Sequence, residues 1–424
     1  MGNLCPKSNL DLRLIKNKMN YNTNKDCFRF TAERSDIPAI VLGCHKIGLG
    51  IIRALGERGI PVIGAYYNKL DMGYVSKYVI ESFQITDPNI DEKLFIDELK
   101  EISNKYKNAV LFASDDTTLL AVSKNKEVLS GLFRVEAPAW ETTNKFIDKQ
   151  YTYALAHEIG VIAPKTFLPR NLEEAKQLVK QLDFPCLLKP TIGHIFFSTF
   201  KKKMLFINNL DELIDAYTKI GDFNIQMMLQ EFIPGDDTHG VNYNSIFVNG
   251  KPIIEFTSEK VRLTPPRTGF PRVIISKFIN QVIDPGRKML TALNYDGFSC
   301  MEFKKDSRNG NYVFMEINGR QNLSTPLAVK CGLNFPYITY RKLIDGSIPE
   351  IIGEYRKGTY WIDTGKDIVE SVRSFKQEHF NLLEYIKPYL SSNVQTIPDL
   401  KDLQPLLKRF SDGIRQIPKV LLNK

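Results

Sequence analysis

Reactive side chains are sparse in this chain. It has six cysteines, Cys5, Cys27, Cys44, Cys186, Cys300 and Cys331, without C-x-x-C spacing, and five dispersed histidines. That scatter offers neither a zinc-binding pattern nor a disulfide framework, and the thiols read as free, mostly small core residues. No Cys/His or Ser/His arrangement suggests a covalent nucleophile. No apolar run reaches the roughly 20 residues of a membrane span, and no secretory signal pattern opens the chain, so the expected location is cytoplasmic. The nicotinamide fingerprint G-x-G-x-x-G is missing too. Gly43, Gly48 and Gly50 are spaced G-x4-G-x-G, which reads as a tight strand-to-helix turn.

At 424 residues, with 43% hydrophobic and 25% charged side chains, the chain can bury a substantial core in two or three domains. Its formal net charge of +9 reads either as an ordinary basic surface or as attraction to anionic partners such as nucleotides. The basic residues do not interleave with aromatics on a recognisable sheet, so nucleic acid is not an expected partner.

Residues 1–35 are polar and rich in Asn and Lys, and are expected to form a poorly ordered arm. Residues 36–143 read as an α/β domain. An apolar run at 37–43, a glycine turn, a helix at 51–59 and a second apolar run at 61–66 make a βαβ unit and hence a parallel sheet. A third strand at 109–113 ends in Ser114-Asp115-Asp116, at the carboxyl end where open α/β sheets place ligands. From residue 144 a helical segment carries Lys149. Then Phe184-Pro185-Cys186-Leu187-Leu188-Lys189-Pro190 forms an apolar strand ending on a lysine, a low-dielectric setting in which a cation can meet phosphate. After strands at 241–248 and 252–257, the segment 258–269 carries Lys260, Arg262 and Arg267 around a Pro-Pro turn. It reads either as a solvated basic loop or as a site for an anionic substrate. Beyond residue 348 a short strand at 360–363 and amphipathic helices at 367–378, 381–389 and 400–410 are expected to pack against the core, and no chemistry is identified there.

The most informative stretch is FSCMEFKKDSRNGNYVFMEINGRQNL, residues 298–323. Two alternating apolar segments separated by a charged turn at 306–311 predict a β-hairpin. Period-two alternation puts Glu302 on the face opposite Met301 and Phe303, and Glu316 opposite Met315 and Ile317, with Asn318 on the same face as Glu316. Such carboxylates are either a solvated face or an oxygen-rich ligand set suited to a hard cation carrying nucleotide phosphates. Their apolar flanks favour the second reading, because an unpaired buried carboxylate is costly.

M-E-F followed by F-M-E-I-N-G-R resembles the metal-binding signature of the ATP-grasp superfamily, and F-P-x-L-L-K-P and D-K before G-V-x-x-P-K-T resemble its nucleotide-binding entry. The tail L-A-V-K-C-G-L-N-F-P-Y resembles the carboxylate–amine ligase branch, with D-aspartate ligase-like and carbamoyl-phosphate synthetase-like enzymes. The resemblance implies a pre-ATP-grasp parallel-sheet domain (36–143), an ATP-grasp fold of two α+β subdomains (144–348) and a mostly helical C-terminal extension (349–424). It implies Mg²⁺ or Mn²⁺ on Glu302, Glu316 and Asn318, and ATP held by Lys149, Lys189, Glu231, the backbone of Phe232 and Ile233, and Asp237 or its neighbour Asp236. Arg320, Lys189 and Arg262 are the implied catalytic cations. The implied reaction joins a small-molecule carboxylate to an amine through an acyl phosphate, releasing ADP and phosphate. Alternatives are a nucleotide-binding sensor or scaffold, and a bicarbonate-using carboxylase or carbamoyl-phosphate-type enzyme. The resemblance leaves room for a homodimer. The sequence departs from the family pattern after Lys189, where Thr191-Ile192-Gly193-His194-Ile195-Phe196-Phe197-Ser198 replaces a glycine-rich phosphate loop.

Overall fold

The computed structural model describes residues 26–30, 36–191, 204–220, 225–374 and 381–422, with isolated positions at 196, 200 and 202. Most of the expected arm and most of the glycine-poor segment 191–203 lie outside the described residues. Within the arm, Phe28–Arg29 (β1) pairs antiparallel with residues 350–351. Phe28 and Cys27 are buried there, so an anchor too short to show a period fixes this part of the segment.

The segment expected to form the first domain holds a five-stranded parallel sheet. Its strands are Ala39–Leu42 (β2), Val62–Tyr66 (β3), Val79–Gln84 (β4), Val110–Ala113 (β5) and Arg134–Glu136 (β6), in the order β4-β3-β2-β5-β6. β2 is apolar throughout because both of its faces are covered. Ala39 and Val41 face a core that includes Ile51, Ile52 and Leu55 of the helix Lys46–Gly56, while Ile40 and Leu42 face Phe95 and Leu99 of the helix Glu92–Ser103. The glycine spacing has a steric cause. Gly43 takes φ +82°, and a Cβ on Gly48 would lie 1.9 Å from the Gly43 carbonyl oxygen, so the first helical turn can sit on the strand end only without a side chain.

The next part holds two antiparallel sheets. Thr166–Phe167 (β7), Cys186–Pro190 (β8), Leu205–Ile207 (β9) and Met227–Glu231 (β10) form the smaller, in the order β7-β10-β8-β9. Gly240–Val248 (β11), Lys251–Thr264 (β12), Phe270–Ser276 (β13), Gly297–Lys305 (β14) and Tyr312–Asn318 (β15) form most of the larger. After Glu350–Ile351 (β16), the C-terminal extension adds Tyr360–Ile362 (β17) and Asn393–Gln395 (β18) to that sheet, giving the order β15-β14-β11-β12-β13-β17-β18. The extension thus continues the grasp sheet, and its helices are Thr364–Ser374, Leu382–Leu390 and Gln404–Leu422.

One face of the larger sheet packs Tyr243, Phe247, Met301 and Phe303 with the helix Ile283–Ala292. The other packs Ile246, Phe256, Phe298 and Cys300 under the helices Thr325–Lys330 and Phe335–Asp345. The last of these also reaches the first domain: Tyr340 joins its core and donates to the Ile37 carbonyl at 2.6 Å. Two expectations shift. The helical segment around Lys149 is two helices, Trp140–Ile147 and Lys149–Glu158, because Asp148 breaks the first and caps the second by accepting from Gln150 N–H at 2.9 Å. The basic segment 258–269 is strand as far as Thr264, and the Pro-Pro element is the tip of a hairpin.

Candidate active site

The carboxylates meet across β14 and β15, where Glu302 is the register partner of Glu316 and Cys300 of Asn318. The register then slips, with Phe303 opposite Phe314 and Met315 left as the extra residue. This bulge breaks simple alternation beside the Glu pair and re-aims the strand, as bulges near sites do. Two like charges on adjacent strands repel, and each has its own cation. Lys149 Nζ lies 3.3 Å from Glu316 Oε2, and Lys260 Nζ lies 2.5 Å from Glu302 Oε2.

Lys149 comes from the helix along the edge strand, which Tyr153 pins by donating to the Met315 carbonyl at 2.8 Å. Burial opposes charge on Lys149, but Glu316 outweighs it and raises the ammonium pKa above its ordinary value. Burial likewise opposes charge on Lys260, and Glu302 again leaves the net shift upward. Lys260 arrives from β12 across β11. It passes over Gly240, where a Cβ would lie 2.7 Å from Lys260 Cδ. The third lysine, Lys189, is buried near the end of β8 and donates to Gln230 Oε1 at 2.9 Å, with Gln230 held in turn on Thr166 Oγ1.

Arg320 joins the site to the first domain. Its Nε and Nη2 donate to the two carboxylate oxygens of Asp116, each at 2.9 Å, and Nη1 donates to the Gln321 carbonyl at 3.2 Å. Asp116 begins the helix Asp116–Lys124, which Asp115 caps by accepting from Thr118 N–H at 2.8 Å. His45 stands beside them. Its Nδ1 accepts from Ile47 N–H at 3.2 Å, and its Nε2 lies 3.0 Å from Ser114 Oγ and 3.5 Å from Asp115 Oδ2. Burial pushes the Asp115 pKa up, but His45 and Thr118 outweigh it and hold the carboxyl below its usual range. Both glycine-turn and Ser114-Asp115-Asp116 segments therefore converge on one end of the parallel sheet.

The segment that the resemblance assigns to the nucleotide base, Glu231 to Ile233 from the end of β10 and here called the hinge, is occupied. Glu231 Oε1 pairs with Arg308 Nη2 at 2.5 Å and Oε2 accepts from Lys165 N–H at 3.2 Å. Arg308 belongs to the tip of the Glu302–Glu316 hairpin, where Asp306 holds it, and Ser307 N–H donates to the Pro234 carbonyl. The hairpin tip is thus clamped onto the hinge. Phe232 meets Phe206 edge-on, Lys304 lies over its ring at 5.0 Å, and Ile233 is buried. Burial and the cations Lys260 and Arg267 push the Lys304 pKa down to about 8. Met227 and Met228 pack into two different cores.

Other expected groups are engaged elsewhere. Asp237 accepts from Leu263 N–H at 2.7 Å and Arg267 N–H at 2.5 Å, and so ties the β12–β13 hairpin, while Asp236 caps Thr238 and pairs with His239. Arg262, on β12, is buried against the extension. It donates from Nε and Nη2 to Asp367 at 2.9 and 2.8 Å and stacks over Tyr385, and Asp367 also accepts from Tyr389. Sequence reasoning marked Lys260 only as one of three cations in the basic segment and His45 only as part of the glycine-turn segment 43–50, and it did not mark Arg308.

No family model matches the sequence. The chain is 26% identical over 328 residues to a D-aspartate ligase of Enterococcus faecium, covering 71% of this chain and 75% of that protein. It is 22% identical over 421 residues to the carbamoyl phosphate synthase large chain of Caldanaerobacter subterraneus, covering 93% of this chain but only 37% of that one. Among solved structures, the biotin carboxylase domain of Hydrogenobacter thermophilus 2-oxoglutarate carboxylase superposes with TM-score 0.63 at 17% identity, covering 77% of this chain and 74% of that one. L-amino acid ligase of Bacillus licheniformis gives 0.58 at 16% identity, covering 75% and 76%. A parallel sheet followed by two antiparallel sheets is the architecture shared with these structures. The sequence is similar to enzymes of the carboxylate–amine ligase branch, and the fold is that of the ATP-grasp proteins.

Proposed function

We propose that this protein is an ATP-dependent carboxylate–amine ligase. The observation that carries the reading is the cross-strand pair Glu302 and Glu316, each matched by a lysine from a different element. Two carboxylates and the Asn318 amide are hard oxygen donors. Among the described residues there is no group of three or more His, Cys, Asp or Glu side chains that could hold a metal unaided. Two carboxylates and an amide suit Mg²⁺, or Mn²⁺, which takes one or two carboxylates and completes its shell with phosphates and water. When bound, the ion would neutralise phosphate charge.

The chain's own groups do the rest. Lys149, Lys189 and Lys260 supply positive charge at three sides of the nucleotide phosphates, and Arg320 supplies it to the phosphoryl group in transit. A substrate carboxylate oxygen bonds to the γ-phosphorus as the bond to the β-phosphate oxygen breaks, giving an acyl phosphate and ADP. The amine nitrogen then attacks the acyl carbon, the C–O bond to phosphate breaks, and the nitrogen loses a proton. A free carboxylate is a poor electrophile, so phosphorylation supplies the leaving group. The Arg308–Glu231 clamp and the backbone of Phe232 and Ile233 would hold the adenine end. Arg262 and Asp237 have structural partners and are assigned supporting roles here.

Phosphate release from Mg²⁺ and ATP, measured across D- and L-amino acids, short peptides, uronic acids and bicarbonate, tests the reading, with Glu316→Ala as control. Release that needs a carboxylate and an amine, yields ADP and vanishes in the variant supports it. Release with bicarbonate alone moves the assignment to the carboxylase type, and ATP binding without release in any combination moves it to a nucleotide sensor.

A further inference from the structure

Asp116 has no part in the reaction just described, yet it holds the guanidinium that does. Arg320 is nearly buried, with 15% of its side chain exposed, whereas Asp116 is 58% exposed. The bidentate pair uses Nε and Nη2, the remaining nitrogen goes to the Gln321 carbonyl, and the contact to Asn318 Oδ1 is long at 3.5 Å. Among the described residues, Asp116 is therefore the carboxylate that fixes the plane of the Arg320 fork. A pair half open to solvent adds little to folding, so a two-point geometry here serves orientation. Asp116 also sits on a different domain from Arg320, at the first turn of a helix whose cap Asp115 faces His45.

We propose that Asp116 is a positioning residue for phosphoryl transfer: it sets the orientation of Arg320 and makes transfer depend on the docking of the first domain against the grasp. The proposal rests on the ligase reading. It is tested on the full chain by Asp116→Asn and Asp116→Glu. Turnover in Asp116→Asn, with the carboxylate–amine pair giving the highest wild-type rate, is expected to fall about 10- to 100-fold, as small misplacements of a reacting geometry do. KM for ATP should stay within about twofold of wild type, because nucleotide binding itself is not altered. Asp116→Glu, which keeps the carboxylate, should recover most of the rate. Unchanged turnover in Asp116→Asn, or a loss confined to ATP affinity, overturns the proposal.

A second readout needs no substrate. The ¹⁵N–Hε resonance of Arg320, identified by its loss in Arg320→Lys, should move in Asp116→Asn and stay near its wild-type position in Asp116→Glu. An unmoved signal in Asp116→Asn overturns the contact itself. If the wild type releases no phosphate under any condition but the signal still moves in Asp116→Asn, the ligase reading falls while the interdomain contact stands.

Discussion

Glu136 gives a prediction whose size follows from its burial. It ends β6, is 5% exposed, and its Oε2 has no hydrogen-bond partner. Lys126 and Lys342 face it, but Lys126 donates to the Ala137 carbonyl at 2.6 Å and Lys342 pairs with Asp296. Burial therefore dominates and lifts its pKa from 4.5 to about 8, against the pull of the two lysines. The folded state binds this proton more tightly than the unfolded chain. Stability from this group is complete below about pH 4.5, declines as pH rises through neutrality and levels off above about pH 8. A rise of about 3.5 units at 1.36 kcal/mol each makes the decline about 5 kcal/mol. Spread over an unfolding entropy of about 2.1 cal/mol/K per residue for the whole chain, that corresponds to a fall in Tm of roughly 5 °C. Glu136→Gln, which mimics the protonated acid, should remove most of this slope, with its Tm close to wild type at pH 5 and higher by several degrees at pH 8.5. Scanning calorimetry of both proteins from pH 5 to 9 reads it directly. Parallel curves would mean that Glu136 is ionised or solvated in the native state, and the reasoning from burial would fail.

Three further outcomes follow from the site. Gly240→Ala puts a methyl group into the path of Lys260, and the flexible lysine rather than the backbone should yield. Turnover should drop about tenfold with Tm nearly unchanged, and a large loss of Tm would place the clash in the sheet. Arg308→Ala frees Glu231 and unclamps the hairpin tip from the hinge. KM for ATP should rise several-fold with little change in kcat, whereas a kcat loss alone would contradict a nucleotide-end role. Arg262→Met removes one of the cations around the fully buried Asp367, so denaturant titration should show a loss of about 1–3 kcal/mol with turnover within threefold. Unchanged stability with a hundredfold loss of turnover would return Arg262 to the catalytic set.

The fold was legible where local pattern and chemistry agree. The βαβ unit, the F-P-x-L-L-K-P strand and the hairpin carrying Glu302, Glu316 and Asn318 all appear as read, because each rests on periods of a few residues. What sequence missed is set by long-range geometry. Lys260 lies 42 residues from Glu302 and reaches it only because β11 offers a glycine beneath its stem. Arg262, two residues on in the same strand, pairs with Asp367, 105 residues away. No local signal separates the two cations. β12 pairs irregularly with β13 between 260 and 263, and the bulges there alter the alternation that would otherwise point both side chains the same way. In the extension the short strand at 360–363 was legible, but β18 and the joining of both strands to the sheet were not, because three-residue strands joined by edge pairing leave no signal of their partner.

The charge arrangement around the hairpin explains why the site can be assembled before its ligands arrive. Glu302 and Glu316 face each other across the ladder, and without compensation their repulsion would work against the register that places them. Lys260 and Lys149 cancel that repulsion pairwise, from a strand and from a helix, so the carboxylates stay together at little electrostatic cost. Arg320 is neutralised separately by Asp116, across the domain boundary. On the proposed reading, an incoming polyanion with its divalent cation offers the two glutamates and their lysines an exchange: carboxylates from ammonium to metal, ammonium groups from carboxylate to phosphate. Such an exchange conserves the number of close ion pairs, so nucleotide affinity should depend only moderately on any single lysine. The rate should depend strongly on them all, since only in the transition state is the full charge on the moving phosphoryl group shared among them.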